Sequence, residues 1–286
     1  PPHILLRSSW QSVNIGDIGN TPGVLTLLAR HFPAARVTLW PADSDPKVHA
    51  LLRAAFPHVA LVRGNTDESG NCSSPELAAA FAECDFLLHG SGPSVVARRN
   101  LEAWTRATGK PYGIYGVTID PVSALEGVTS EGDTIAALAA RIASLPATHL
   151  DPALRALLER ARFVFCRDSL SERYLRAQQV AGPRIAFAPD GAFGIELRNE
   201  GAADAWLRAH ALDAGQFICV IPRLRYTPYH LMRKLPPTQR DLDRAALSAR
   251  HVEDDMAKVR EMIVRWVRTT GRKVLVCPEE VRTRAF

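Results

Sequence analysis

Short apolar runs and longer amphipathic stretches take turns along most of this chain. The runs are Ile4–Leu6, Val37–Trp40, Val59–Val62, Phe86–His89, Tyr112–Tyr115, Phe163–Cys166 and Ile185–Ala188. The amphipathic stretches fall at Pro22–His31, Pro46–Phe56, Ser74–Glu83, Ser94–Thr108 and Ser169–Gln178. Most of them open on Ser, Thr, Asp or Pro, where a short side-chain oxygen or a fixed φ suits a helix start. Strands separated by helices of about ten residues imply βαβ units with right-handed crossovers. The expected fold class is therefore α/β, with a doubly wound parallel sheet over residues 3–195. Loops 8–21, 90–94, 116–121 and 167–169 should share one edge of it.

The pattern changes near residue 198. A strand at Phe217–Ile221 leads into a long loop rich in Arg, Pro and Tyr. A helix over Val252–Thr269 follows, with Val252, Met256, Val259, Met262, Ile263, Trp266 and Val267 at helical spacing for a core-facing stripe. A strand at Lys273–Cys277 comes next. This reading gives an N-terminal domain at 1–197 and the start of a second at 198–286. The second holds fewer strands than the roughly five of an ordinary sheet, so it is expected to be incomplete in this chain.

Composition excludes several classes. At 47% apolar and 23% charged residues the chain reads as a soluble globular protein. No run of about 18 apolar residues occurs, and no basic segment followed by an apolar core opens the chain. Five widely spaced cysteines, Cys72, Cys84, Cys166, Cys219 and Cys277, suit buried thiols in a reducing compartment better than a disulfide framework or a zinc site. The expected location is cytoplasmic, with peripheral membrane contact left open. The net charge of +5 suits handling of anionic small molecules. No nucleic-acid motif accompanies it, and no nucleic-acid partner is expected.

Candidate chemistry collects at strand-to-helix junctions, where open α/β sheets bind ligands. Asn14, Gly16, Asp17, Gly19 and Asn20 follow the first strand, with neither a dinucleotide nor a Walker spacing. They suit a ligand loop and also a plain Asn/Gly turn. His89-Gly90-Ser91-Gly92-Pro93-Ser94 joins another strand to a helix. Its glycines admit close backbone approach, and His89 reads as a general acid or as an internally satisfied histidine. Tyr115 to Pro121 forms a third loop, in which Asp120 is a base or a turn initiator. Phe163–Cys166 stops at Arg167-Asp168, which aims an arginine and a helix start at one spot. Arg223 and Arg225 leave the first strand of the second unit, followed by Tyr226, Tyr229, His230, Arg233 and Lys234. Guanidinium forks suit carboxylate and phosphate. No metal-spaced cluster is present.

Taken together, residues 5–225 resemble the polysaccharide pyruvyl transferase family. The matching motifs are Asn14-x-Gly16-Asp17, Gly90-Ser91-Gly92, Gly109-Lys110-Pro111 through Gly116 and Pro121, Arg167-Asp168-x-x-Ser171-x-x-x-Leu175, and Asp190 before Ala192-Phe193. The chain departs from the family in a Gly-Ser-Gly-Pro middle turn, in Asp120, and in lacking the later Arg-x-His and Lys elements up to Phe286. The resemblance implies two facing Rossmann-like domains of the glycosyltransferase-B type. It also implies transfer of pyruvate from phosphoenolpyruvate onto two sugar hydroxyls of a polysaccharide or its lipid-linked precursor, as a cyclic ketal. Its partners would be phosphoenolpyruvate and a glycan acceptor, with no resident cofactor and no metal. His89, Asp17 and Arg167 are then the catalytic candidates. Asn14, Gly16, Gly90, Ser91, Gly92, Asp168, Arg223 and Arg225 are the substrate-binding candidates. The alternatives are a nucleotide-sugar glycosyltransferase of the same architecture and a non-catalytic sugar- or anion-binding relative.

Overall fold

The computed structural model describes residues 1–12, 14–42, 45–121, 135–232 and 234–277; Val13 and Arg233 lie outside the described residues. The chain divides into two units, one of residues 1–12 and 16–197 and the other of 13–15 and 198–286.

In the first unit, β1 (His3–Ser8), β2 (Arg36–Pro41), β3 (Ala60–Leu61), β4 (Phe86–His89), β5 (Tyr112–Val117), β6 (Phe163–Cys166) and β7 (Arg184–Phe187) form one sheet. Its order is β3-β2-β1-β4-β5-β6-β7, and every neighbouring pair is parallel. The doubly wound α/β sheet read from the sequence is therefore present, and all seven runs supply its strands. Winding reverses between β1 and β4, the place where such sheets leave a crevice at their carboxyl ends. The loops expected to share an edge do so, because each follows a parallel strand.

Helices α1 (Ile15–His31), α2 (Pro46–Ala55), α3 (Pro75–Glu83), α4 (Arg98–Thr108), α5 (Ile135–Ala143), α6 (Pro152–Arg160) and α7 (Ser169–Ala177) cover the faces. Asp45, Ser74, Asp151 and Asp168 cap α2, α3, α6 and α7, each accepting a backbone N–H of the first turn. The pleat sends Leu5 and Leu6 to opposite sides. Leu5 joins Trp40, Leu77, Leu87, Leu101, Trp104 and Ile114 in one buried cluster. Leu6 joins Val24, Leu28, Leu39, Val48 and Leu52 in the other. Lys110, from the Gly-Lys-Pro motif, donates its Nζ to the carbonyls of Phe81, Ala82 and Cys84 at 2.6–3.0 Å, closing the end of α3.

One boundary shifts in a way that matters. The helix expected from Pro22 begins at Ile15, with Pro22 inside it. Gly16, Asp17, Gly19 and Asn20 are thus helical, not loop. Gly23 of α1 approaches a single 3-10 turn, Gly191–Gly194, so closely that a Cβ would lie 1.8 Å from the Gly191 oxygen.

The second unit contains α8 (Glu200–Ala209), β8 (Phe217–Val220), α9 (Tyr229–Met232), α10 (Gln239–Thr270) and β9 (Lys273–Val276). Its strands pair in parallel as a two-stranded sheet. The last helix starts well before the expected Val252. Thr238 and Asp241 form a capping box that fixes the earlier start. Cys219 is exposed, whereas Cys84 and Cys166 are buried, so the cysteines are not uniformly interior.

Candidate functional site

Four crossing contacts tie together the loops at the carboxyl edge of the seven-stranded sheet. The first centres on Ser91, which is fully buried. Its Oγ donates to the Gly116 carbonyl at 2.9 Å and accepts the Gly191 N–H at 3.0 Å. Its own carbonyl accepts Trp10 Nε1–H at 2.6 Å. Gly92 N–H also donates to the Gly116 carbonyl, at 3.2 Å. Both flanking glycines are required by close packing. A Cβ on Gly90 would meet Ser8 Oγ at 2.7 Å, and one on Gly92 would meet the Trp10 ring at 2.6 Å. Gly116 has φ +65 and abuts Ser91, a backbone state that favours glycine.

The second contact is made by Arg167. Its Nε donates to Thr118 Oγ1 at 2.9 Å and its Nη1 to Asp190 Oδ2 at 2.6 Å. Both side chains are largely withdrawn from water, at 28% and 18% exposure. Asp190 also caps the 191–194 turn by accepting Ala192 N–H at 2.9 Å. Burial and the nearby Asp190 carboxylate push the Tyr115 hydroxyl above its ordinary pKa. The third contact runs through Asp168, which accepts both Ser171 N–H and Ser171 Oγ–H, while Ser171 Oγ accepts Ile119 N–H at 2.8 Å. The motif of Arg167, Asp168 and Ser171 is thereby a clasp joining the ends of β5 and β6 to the start of α7.

His89 makes the fourth. It is fully buried, and its ring lies against Trp10, tilted by 33° with centroids 4.7 Å apart. Its Nε2 accepts Ala97 N–H at 3.2 Å, so the proton sits on Nδ1, which donates to the Gly90 carbonyl at 2.7 Å. Burial drives its pKa down to about 3. The general-acid expectation for His89 is corrected here. A neutral ring with both nitrogens held by backbone has no proton to offer at neutral pH, and His89 serves to fix the 89–97 loop.

Asp17 lies in the first turn of α1, half-buried, where Gln11 donates its side-chain amide to Oδ2. Gly16 is exposed beside it, and Asn14 stands directly before the helix. Ser8 and Thr21 share a hydroxyl hydrogen bond of 2.8 Å that fastens this turn to the end of β1. In the second unit, Arg225 turns its fork onto Asp255 of α10, at 2.6 and 3.0 Å. The guanidinium expected for a substrate anion thus holds a carboxylate here, as Arg167 does in the first unit. Arg223 is exposed.

The first unit thus brings together Gly90, Ser91, Gly92, Arg167, Asp168 and Asp190. Sequence reasoning had passed over Trp10, Thr118 and Arg7. Arg7 carried a signal, as the one charged side chain in the run His3–Ser8. Among the described residues no group of three His, Cys, Asp or Glu is placed to hold a metal ion, and no helix is long and apolar enough to cross a membrane.

No curated protein matches the chain. Solved structures align with it at low identity. A UDP-GlcNAc 2-epimerase from Neisseria meningitidis bound to UDP-GlcNAc aligns at 8% identity and TM-score 0.48, over 100% of this chain and 73% of that one. Anabaena Alr3699/HepE in complex with UDP and glucose gives 12% and 0.43, over 96% and 68%. A Siraitia grosvenorii ugt transferase in complex with UDP gives 9% and 0.40 over 81% of this chain, which spans only 61% of that transferase. The sequence profile described as polysaccharide pyruvyl transferase matches residues 14–225. That span takes in the Ser91 hub, the Arg167–Asp190 pair and the Asp168 clasp, and the chain belongs to the polysaccharide pyruvyl transferase family.

Proposed function

We propose that this chain moves pyruvate from phosphoenolpyruvate onto two hydroxyls of a sugar, in a polysaccharide or its lipid-linked precursor, as a cyclic ketal. The observation that carries this reading is the family match over residues 14–225. The chemistry is balanced by one donor and one acceptor. The terminal enol carbon takes up one proton, the two sugar oxygens bond to the adjacent carbon and lose their two protons, and the bond from that carbon to the phosphate oxygen breaks. One hydroxyl proton balances the one taken up by carbon, and the other leaves with phosphate. The reaction needs a base for the attacking hydroxyl and positive groups for the donor's phosphate and carboxylate. Asp17, in the first turn of α1 and held by Gln11, is the carboxylate we assign to receive the hydroxyl proton. Arg167 has its Nε and Nη1 fixed by Thr118 and Asp190, which orients the guanidinium before any anion arrives.

Incubating the protein with phosphoenolpyruvate and a glycan acceptor, then measuring phosphate release and acceptor mass, tests the reading. Phosphate release that requires the acceptor, with a matching pyruvylated product, is expected. A chelator should leave the rate unchanged. Absence of acceptor-dependent release, or UDP release from a UDP-sugar in its place, overturns the assignment.

A further inference from the structure

One buried charge has no place in the site above. Arg7 of β1 is only 7% exposed. Its Nε donates to Asn100 Oδ1 at 3.0 Å and its Nη1 to the Trp40 carbonyl at 3.1 Å. The guanidinium carbon lies 4.4 Å from the Trp40 ring centroid. None of these partners is an anion. Burial alone displaces the Arg7 pKa, to about 10, with no carboxylate offsetting it, so the group stays charged at neutral pH. Its Nη2 has no hydrogen-bond partner among the described residues. Nor is it one of the unpartnered atoms sealed from solvent, which among the described residues are His230 Nδ1 and Trp266 Nε1. One side of the fork therefore remains open.

The surroundings add positive potential. Asn100 sits in the first turn of α4, and its side chain brings that positive helix end to the guanidinium, although Ala97, Arg98 and Asn100 already donate their N–H groups to His89, Val95 and Ala97. His89 lies beside Arg7 in strand register and is neutral. A buried charge without a counter-charge is unfavourable, and a bound anion relieves it. Arg7 also sits where winding reverses, between β2 and β4 at the carboxyl end of β1.

We propose that Arg7 and the first turn of α4 form a binding site for a small oxyanion of the phosphate type. The inference goes beyond pyruvate transfer, since it requires only that a phosphate group reach Arg7, free or carried by phosphoenolpyruvate.

The test is thermal unfolding of the whole chain in chloride-matched series of inorganic phosphate, phosphoenolpyruvate and pyruvate, with phosphorus NMR line broadening as direct readout. Phosphate and phosphoenolpyruvate should each raise the wild-type midpoint by roughly 3–5 °C at about tenfold over Kd. Pyruvate, which lacks phosphate, should not. Arg7→Met should lose the shift and the broadening. Should Arg7→Met not fold, Arg7→Lys serves, keeping charge without the fork and giving a clearly smaller shift. No shift in wild type, an equal shift in the Arg7 variants, or a shift by pyruvate alone overturns the proposal. Phosphate binding without acceptor-dependent phosphate release would sink pyruvate transfer alone, and turnover without an Arg7-dependent shift would sink this site alone.

Discussion

Ser91 and His89 show how single side chains hold this edge of the sheet. Removing the Ser91 hydroxyl leaves the Gly116 carbonyl and the Gly191 N–H without that partner, both inside the protein. Ser91→Ala should lower stability by about 1–3 kcal/mol, read as a lower urea midpoint with an unchanged m-value. The effect of His89 depends on pH with a definite sign. The unfolded chain binds a proton on this ring below about 6.5, whereas the folded ring resists until about 3. Stability should therefore be fully present above pH 6.5 and fall as pH drops toward 3, by at most about 1.4 kcal/mol per pH unit. Urea unfolding of wild type and His89→Gln between pH 4 and 7 checks this, and parallel slopes would contradict it. At Arg167, a double-mutant cycle of Arg167→Met and Asp190→Asn should return a coupling on the order of 1 kcal/mol, because the pair is partly screened by water. Of this, the internally satisfied reading of His89 was legible in the sequence. The types of Arg167, Asp168 and Ser91 marked the edge, but which atoms meet is set by strands far apart in the chain.

At the level of elements, glycine decides how α1 meets the 191–194 turn. A methyl at Gly23 would overlap the Gly191 carbonyl, 1.8 Å away, while one at Gly201 in α8 meets nothing within 4 Å. Gly23→Ala should destabilise by about 1–3 kcal/mol or more through forced displacement. Gly201→Ala should instead be neutral to stabilising by up to about 1 kcal/mol from helix propensity. Thermal melts of the two variants side by side test the contrast, and a Gly23→Ala protein as stable as wild type would refute the packing. Every strand was legible, since each is a short β-branched or aromatic run bounded by turn residues. Helix starts were less so. Pro22 looks like a first-turn proline, yet Ile15 already begins α1, because tertiary packing of Gly19 and Gly23 outweighs the lost N–H. In α10 the polar stretch after Thr238 hid the start, although Thr238 and Asp241 spelled a capping box.

Across the whole chain, the two units differ in how much they bury. Among the described residues after 198, Val220, at 9% exposure, is the only buried hydrophobic side chain, while Ile221, Leu242, Met262, Val264, Val267 and Val276 stay open. The first unit, by contrast, seals two clusters on opposite faces of its sheet. Hydrogen exchange of the intact chain should show β8 and β9 amides exchanging much faster than those of β1, β4 and β5. Equal protection in both would mean that the second unit is held by something other than its own core.

The strand that comes first in the chain lies in the middle of its sheet, with β2 on one side and β4 on the other. During synthesis, β1 emerges before both of its neighbours and gains the first of them at residues 36–41. Its other side waits until residues 86–89 have emerged. For that interval a nascent chain presents an unpaired, apolar backbone edge, the arrangement that templates association between chains. Ribosome-stalled chains ending before Phe86 should therefore need chaperone cover that chains ending beyond β5 do not.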